Sequence, residues 1–427
     1  MNNKELFYFT GKCLTLDERP ALRSVILEKI YAGQIDWNRF VWLCSNHLIL
    51  QVIYLKFKSH DILSEIPDNL TNHLKLVHHL NCDRNTALLQ QAADIAVALN
   101  KENISPVFMK GTGNLLSGLY QDIGERMIGD IDFLVPETYY LKAVHIVLGM
   151  GYKQNATNTA SLMSSKHYPR LFREDVPANI EIHRLPVTKK YSTNFNAEMM
   201  LRDKERVTTL QSCHVPSEEH KIIQNFIHSQ FEHQGYQLAS VSLRDVYDLY
   251  LLSGRNNIRS STMPYKRKAQ NYFTLAERIL DQRLSLHFSS AKTIRSSLFC
   301  MRFDFYQQHT VLNKIIVYIP NRIYRKYLLN SVLFIFNKRE RLRIINRLKI
   351  TTANTSSMKP ILYILLFMLP SFLSAQYLPL SHDLEVEYQL SSEHQLPLSV
   401  TAMHPWIVQI PDSAKRTPGR LDNTQAL

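Results

Sequence analysis

The stretch MIGDIDFLV, which carries Asp130 and Asp132, limits what this chain can fold into more than any other. Its apolar content predicts a strand, and strand residues two apart point to the same face. Asp130 and Asp132 therefore share one face, while Ile131, Phe133 and Val135 fill the other and require a core behind them. Two carboxylates this close repel each other and are costly to desolvate unless a cation sits between them. Oxygen-only ligands favour a hard ion such as Mg²⁺. NIEIHRL repeats the pattern, with Ile180 and Ile182 inward and Glu181 and His183 on the other face. Asp130, Asp132 and Glu181 on neighbouring strands would hold two metal ions, the device of in-line phosphoryl or nucleotidyl transfer.

A D-x-D alone is a weak signal. Solvent-facing strand pairs carry it, and glycosyltransferases use it to bind the metal of a nucleotide sugar. Its surroundings add to it. Lys110-Gly111-Thr112 closes a predicted strand, PVFMKG, and opens a helix, where free backbone N–H groups favour a phosphate. Arg126, four residues before Asp130, is placed to pair with phosphate oxygens or to brace a carboxylate. Lys110 and Arg126 read equally well as solvated charges or local salt bridges. His183 is read as a phosphate contact or a support behind the acids, with a plain structural hydrogen bond as the alternative.

Around this motif the pattern runs strand, helix, strand, helix, strand over residues 101–215, an α+β unit. It is flanked by helical spacing in 1–100 and 216–350. Trp37, Phe40, Val41, Cys44, His47, Leu48 and Val52 predict one buried helix face, and Asn81–Leu99 predicts another helix. GTGNLLSGLY predicts helix through Leu119 and Tyr120, and GERMIGDIDFLVP a strand closed by Pro136. With 427 residues the chain is long enough for two or three domains. Only 12 glycines argue against a glycine-rich Rossmann or barrel enzyme. The 5 cysteines (Cys13, Cys44, Cys82, Cys213 and Cys300) form no C-x-x-C pair, so neither a disulfide framework nor a zinc site is indicated. MNNKELFYFTGK has no apolar core of a signal peptide, and a cytoplasmic protein with reduced thiols is expected.

VFMKGTGNLLSGLYQDIGERMIGDIDFLV, followed by IEIHRLP, resembles an uncharacterised bacterial nucleotidyltransferase family of the DNA polymerase β-like superfamily. Lys110, Gly111, Tyr120, Arg126, Asp130, Asp132, Gly151, Tyr152, Glu181 and His183 stand in that family's order. SEEHKIIQNFIHSQFEH and SLRDVYDLYLL are similar to its later helices and put His228 and Asp245 at characteristic positions. The superfamily's glycine-serine pair stands here as Gly111-Thr112, further from the aspartates than usual. The resemblance implies a small mixed sheet with helices, and Mg²⁺-dependent transfer of a nucleoside monophosphate from an NTP to an acceptor hydroxyl. In that role Asp130, Asp132 and Glu181 would be catalytic metal ligands, and Lys110, Gly111, Thr112, Arg126 and His183 would bind the nucleotide.

A second class of function stays open. Net charge is +13, and residues 255–350 carry 20 Lys/Arg against 4 Asp/Glu. Aromatics are interleaved there (Tyr265, Tyr272, Phe273, Phe303, Phe305, Tyr306, Tyr324 and Tyr327), as in surfaces that stack bases. The same letters fit a basic amphipathic helix on an anionic membrane, or a plain helical bundle. A nucleotide-sensing or nucleic-acid- or membrane-binding protein is the alternative to an enzyme.

Residues 351–427 read as a separate part. Met358-Lys359-Pro360, the apolar run Ile361–Leu373 and Ser374-Ala375-Gln376 have the layout of a signal peptide in the wrong place. The run is short for a span of about 20 residues. We expect a fused or disordered tail, with peripheral membrane contact through residues 361–373 or the basic helices as the alternative. A chain ended at Thr355 should therefore keep its melting temperature in a thermal melt beside the full chain. A drop of several degrees would mean the run fills a core, where each large apolar side chain contributes about 1.5–3 kcal/mol.

Overall fold

The computed structural model describes residues 1–154, 166–207, 213–255, 262–286 and 293–309. These residues hold 13 α-helices and a mixed seven-stranded sheet, the expected α+β architecture. The helical lead-in comprises α1 (Asn3–Cys13), α2 (Leu22–Tyr31), α3 (Trp37–Asn46), α4 (Leu50–Ser59) and α5 (Asp68–Asn100). Asn2 and Glu5 close the start of α1 as a reciprocal capping box. The single helix face predicted from Trp37 to Val52 is broken. Leu48 adopts a left-handed φ of 53°, and α3 and α4 are bent by 120° at that break. Asn81–Leu99 proves to be the second half of the 33-residue α5. Among the described residues no single helix is long and apolar enough to cross a membrane.

The strands are β1 (Val107–Phe108), β2 (Asp130–Leu134), β3 (Lys153–Gln154), β4 (Leu171–Phe172), β5 (Asn179–His183), β6 (Lys204–Arg206) and β7 (His214–Pro216). They lie in the order β3-β4-β5-β2-β1-β7-β6, with β2 parallel to β5 and antiparallel to β1. Between β1 and β2, α6 (Lys110–Leu116) stops short of Leu119 and Tyr120. Gly118, at φ 64°, takes the left-handed position that ends a helix. The amides of Ser117, Gly118 and Leu119 turn back onto the carbonyls of Gly113, Leu115 and Asn114.

The strand expected from Gly124 is also shorter, because residues 121–129 form a loop tied to α5. Asn81 Nδ2 donates to the carbonyls of Gly124 and Arg126, and Asn85 Nδ2 to those of Ile123 and Arg126. Arg84 donates to Ile128, Gly129 and Pro177 carbonyls. A chain segment with no ladder of its own thus has its backbone satisfied by side chains.

α7 (Tyr140–Gly149) covers the apolar face of the sheet together with α5. Ile131, Phe133, Val135, Ile180 and Ile182 are buried there against Leu88, Ala92, Ile95, Leu99, Val144 and Val147. α8 (Ala197–Arg202) precedes β6, and α9 (Glu218–Ile227) runs into a π-helical turn, His228–Glu232. α10 (Gly235–Leu238), α11 (Leu243–Arg255), α12 (Lys266–Leu280) and α13 (Ile294–Gln308) follow. α1–α4, α9 and α11–α13 contribute to a second hydrophobic cluster.

Tyr272, Phe273 and Phe303, candidates for base stacking, are buried in that cluster. Tyr265 meets Phe231 edge-on, with ring centroids 4.8 Å apart. Phe305 is exposed and packs its ring beside Tyr306, with centroids 5.9 Å apart. Residues 256–261, 287–292 and 310–350, with Tyr324 and Tyr327, and all of 351–427 lie outside the described residues.

His47, at the end of α3, gives the fold a pH dependence. Its Nδ1 accepts the Leu243 amide at 3.2 Å, and its ring meets Phe7 edge-on. Burial pushes its pKa down to about 4, with the charges of Asp245 and Arg244 acting in opposite directions. The folded state therefore favours the neutral ring. This stability is fully present above the unfolded pKa near 6.5 and is lost as pH falls from there towards 4. The loss is on the order of 2 kcal/mol, since each pKa unit is worth about 1.4 kcal/mol and part of the ring meets solvent. His47→Asn keeps an acceptor for Leu243 without titrating. Urea unfolding from pH 7 to 4.5 should show a shallower loss in this variant, and equal slopes would exclude His47 as the cause.

Candidate functional site

Parallel pairing of β2 with β5 sets Asp132 opposite Glu181 and Leu134 opposite His183. The apolar partners Ile131 and Ile180 fix this register, since a one-residue slip would turn them to the polar face. His183 Nε2 donates to Asp132 Oδ1 at 2.8 Å and lies 3.4 Å from Glu181 Oε2. Lys110 Nζ lies 2.5 Å from Asp132 Oδ1 and 3.6 Å from Glu181 Oε2. It reaches them from a residue at φ 51°, a left-handed conformation that costs a non-glycine about 1–2 kcal/mol. Such strain is commonly held at functional positions.

Thr112 Oγ1 donates to the Asp130 carbonyl at 3.1 Å, which joins the start of α6 to β2. Gly111 lies against the guanidinium of Arg126, whose Cζ is 3.8 Å from where a Cβ would stand. Arg126 itself does brace a carboxylate, but that of Asp248. Its Nε lies 3.1 and 3.0 Å from the two oxygens and its Nη2 3.0 Å from Oδ2, in a buried pair that Tyr120 also joins at 2.9 Å. The structure thus brings Lys110, Asp130, Asp132, Glu181 and His183 together, and ties Arg126 to α11 beside them.

Two further residues of the site were not found in the sequence. Arg170 Nη2 lies 2.9 Å from Glu181 Oε1 and 3.4 Å from Asp130 Oδ2, so it bridges two of the three acids. His167 Nε2 is 3.8 Å from Glu181 Oε2, and its backbone bridges to His183 across an antiparallel step. Both precede β4, and only their pairing beside β5 gives them a role. His228, by contrast, contacts Glu232, which also holds Lys166 at 2.9 Å.

The charges are strongly interdependent. Burial works against ionisation of Asp132, but Lys110 and the His183 hydrogen bond hold its pKa below the usual carboxylate range. Glu181 is likewise buried, and Lys110 with His183 and His167 holds it well below that range. Asp130 goes the other way. Burial, then the neighbouring Asp132 and Glu181 charges, push it up to about 7. Burial disfavours the charge of Lys110, yet the three carboxylates more than offset this and raise its pKa. His183 is raised too, against burial, by its bonds to Asp132 and Glu181.

This donor set suits a cation. Asp132, Glu181 and His183 each offer an atom within 4.8 Å of the others, and all three are buried. The Lys110 ammonium stands in for such an ion, bound to one carboxylate and near the second. The side chains of Asp130, Arg170 and Lys110 keep 24%, 27% and 18% of their exposure, so solvent reaches the cluster on their side.

No curated protein matches the chain. A family model described as uncharacterised nucleotidyltransferase matches residues 33–271, a span that contains every residue of the site just described. The chain therefore belongs to that nucleotidyltransferase family.

Proposed function

We propose that the protein transfers a nucleoside monophosphate from an NTP to the hydroxyl of an acceptor, with Mg²⁺ held by Asp130, Asp132 and Glu181. The observation that carries this reading is the in-register opposition of Asp132 and Glu181 within a chain of the nucleotidyltransferase family. When bound, Mg²⁺ supplies positive charge that neutralises the triphosphate and favours the deprotonated acceptor hydroxyl, and the acids present suit two ions.

The chain's own residues do the rest by position and charge. His183 stays behind Asp132 as its hydrogen-bond donor and fixes the carboxylate's orientation. Lys110 stands at the start of α6, next to Gly111 and Thr112, where its ammonium would be available to the phosphates. Arg170 has 27% of its side chain exposed and adds its positive charge beside the same anion. Arg126 contributes from behind Gly111 by anchoring this turn to Asp248.

Incubating the full chain with each labelled NTP, Mg²⁺ and a cell extract tests the reading. Label should pass to one acceptor, and EDTA should stop it. Asp132→Asn and Glu181→Gln keep the buried shapes and remove charge. Each should cost at least about 100-fold in transfer, because ion binding supplies several kcal/mol at about 1.4 kcal/mol per tenfold. Transfer that survives in EDTA contradicts the mechanism. Tight nucleotide binding with no transfer to any acceptor would favour a nucleotide sensor instead.

A further inference from the structure

A second group of metal-ligating side chains lies on the other side of the loop that leads to Asp130. His78 and Cys82 stand four residues apart on α5, so both point to one side of the helix. Asp122, in the loop, comes up against them. His78 Nε2 is 2.9 Å from Asp122 Oδ1, and Cys82 Sγ is 3.6 Å from His78 Nε2 and 3.8 Å from Asp122 Oδ1. A tetrahedral zinc ion, with sulfur at about 2.3 Å and nitrogen and oxygen at about 2.0–2.2 Å, sets its donors about 3.3–3.6 Å apart. The triangle found here matches that within about 0.4 Å on each edge. All three residues are half-buried, which leaves the group open to an ion from solvent.

The loop backbone is shaped around the same three atoms. A Cβ at Gly124 would lie 2.4 Å from Cys82 Sγ and 3.0 Å from His78 Nε2, so only glycine leaves this space free. The Gly124 amide donates to Asp122 Oδ1 at 2.7 Å and holds that carboxylate in place.

We propose that His78, Cys82 and Asp122 form a binding site for a zinc-class divalent ion, with a fourth position open to water. Thiolate and imidazole donors select such an ion over Mg²⁺. On binding, the Cys82 thiol proton leaves to solvent, and His78 takes the tautomer with its proton on Nδ1. The ion then joins α5 to residues 121–129, the segment that ends at Asp130. This site is separate from the acid cluster and does not depend on the transfer reaction.

Co²⁺ added to the chelator-treated full chain tests it, because a thiolate ligand gives a sulfur-to-cobalt charge-transfer band that oxygen ligands do not. The band should saturate at one equivalent, persist in Asp132→Asn and vanish in Cys82→Ser and His78→Ala. Native alkylation of the unsubstituted protein provides a check that requires no variant to fold. Cys13, Cys44, Cys213 and Cys300 are buried, so iodoacetamide should reach Cys82 first. Zn²⁺ should slow that labelling at least tenfold, and a chelator should restore it. Absence of the band, its persistence in Cys82→Ser, or labelling of Cys82 unaffected by Zn²⁺ would each overturn the proposal.

Discussion

The site depends on two carboxylates that the sheet forces into the protein interior. Asp132 and Glu181 face each other across paired parallel strands and are almost wholly buried. Neither can remain charged there alone, since an isolated buried carboxylate carries a desolvation penalty of several kcal/mol. Lys110, Arg170 and His183 gather around them for that reason, and each brings a different element of the fold with it. Lys110 fixes the strained entry to α6, and Arg170 holds the segment before β4. His183 comes from β5 itself. The same balance explains why Asp130 differs from its partners. It is buried, and it is the third negative charge in a place where the nearby cations are already shared, so its proton is held more tightly.

Holding such a cluster requires a rigid surround, and α5 provides much of it. One side of this helix presents Leu88, Ala92, Ile95 and Leu99 to the back of the sheet. Another side presents Asn81, Arg84 and Asn85 to the carbonyls of residues 121–129, together with His78 and Cys82. The loop is held further by Glu125, whose carboxylate accepts from the buried Tyr247 hydroxyl, and by the Arg126–Asp248 pair. Both tie it to α11. The aspartates of β2 therefore start from a segment fixed on two sides.

Period-two alternation made the acids legible in the sequence. Ile131, Phe133, Ile180 and Ile182 could only face a core, which left Asp130, Asp132, Glu181 and His183 together on the other side. What the sequence could not show was how their charge is balanced. Arg170 and His167 reach Glu181 through cross-strand neighbours that no local spacing encodes, and Arg126 found its carboxylate on a helix 122 residues later. Helix ends were misread for a similar reason. Gly118 was a visible stop that the apolar rhythm of Leu119 and Tyr120 outweighed, whereas Leu48 takes its left-handed turn without a glycine to mark it. The cysteines indicated no zinc site in the sequence, because Asp122, which meets His78 and Cys82, lies 40 residues beyond Cys82.

If the acid cluster is built for a cation, Lys110 and a divalent ion must compete for Asp132. The affinity of the nucleotide-free protein for Mn²⁺, compared with that of Lys110→Met, tests this most directly. Removal of the ammonium should tighten Mn²⁺ binding at least about tenfold, a difference of about 1.4 kcal/mol, while the Asp132→Asn change in the same background should abolish the gain. Unchanged or weaker Mn²⁺ binding in Lys110→Met would contradict the account, because Lys110 would then be a structural partner of Asp132 rather than the occupant of a cation's place.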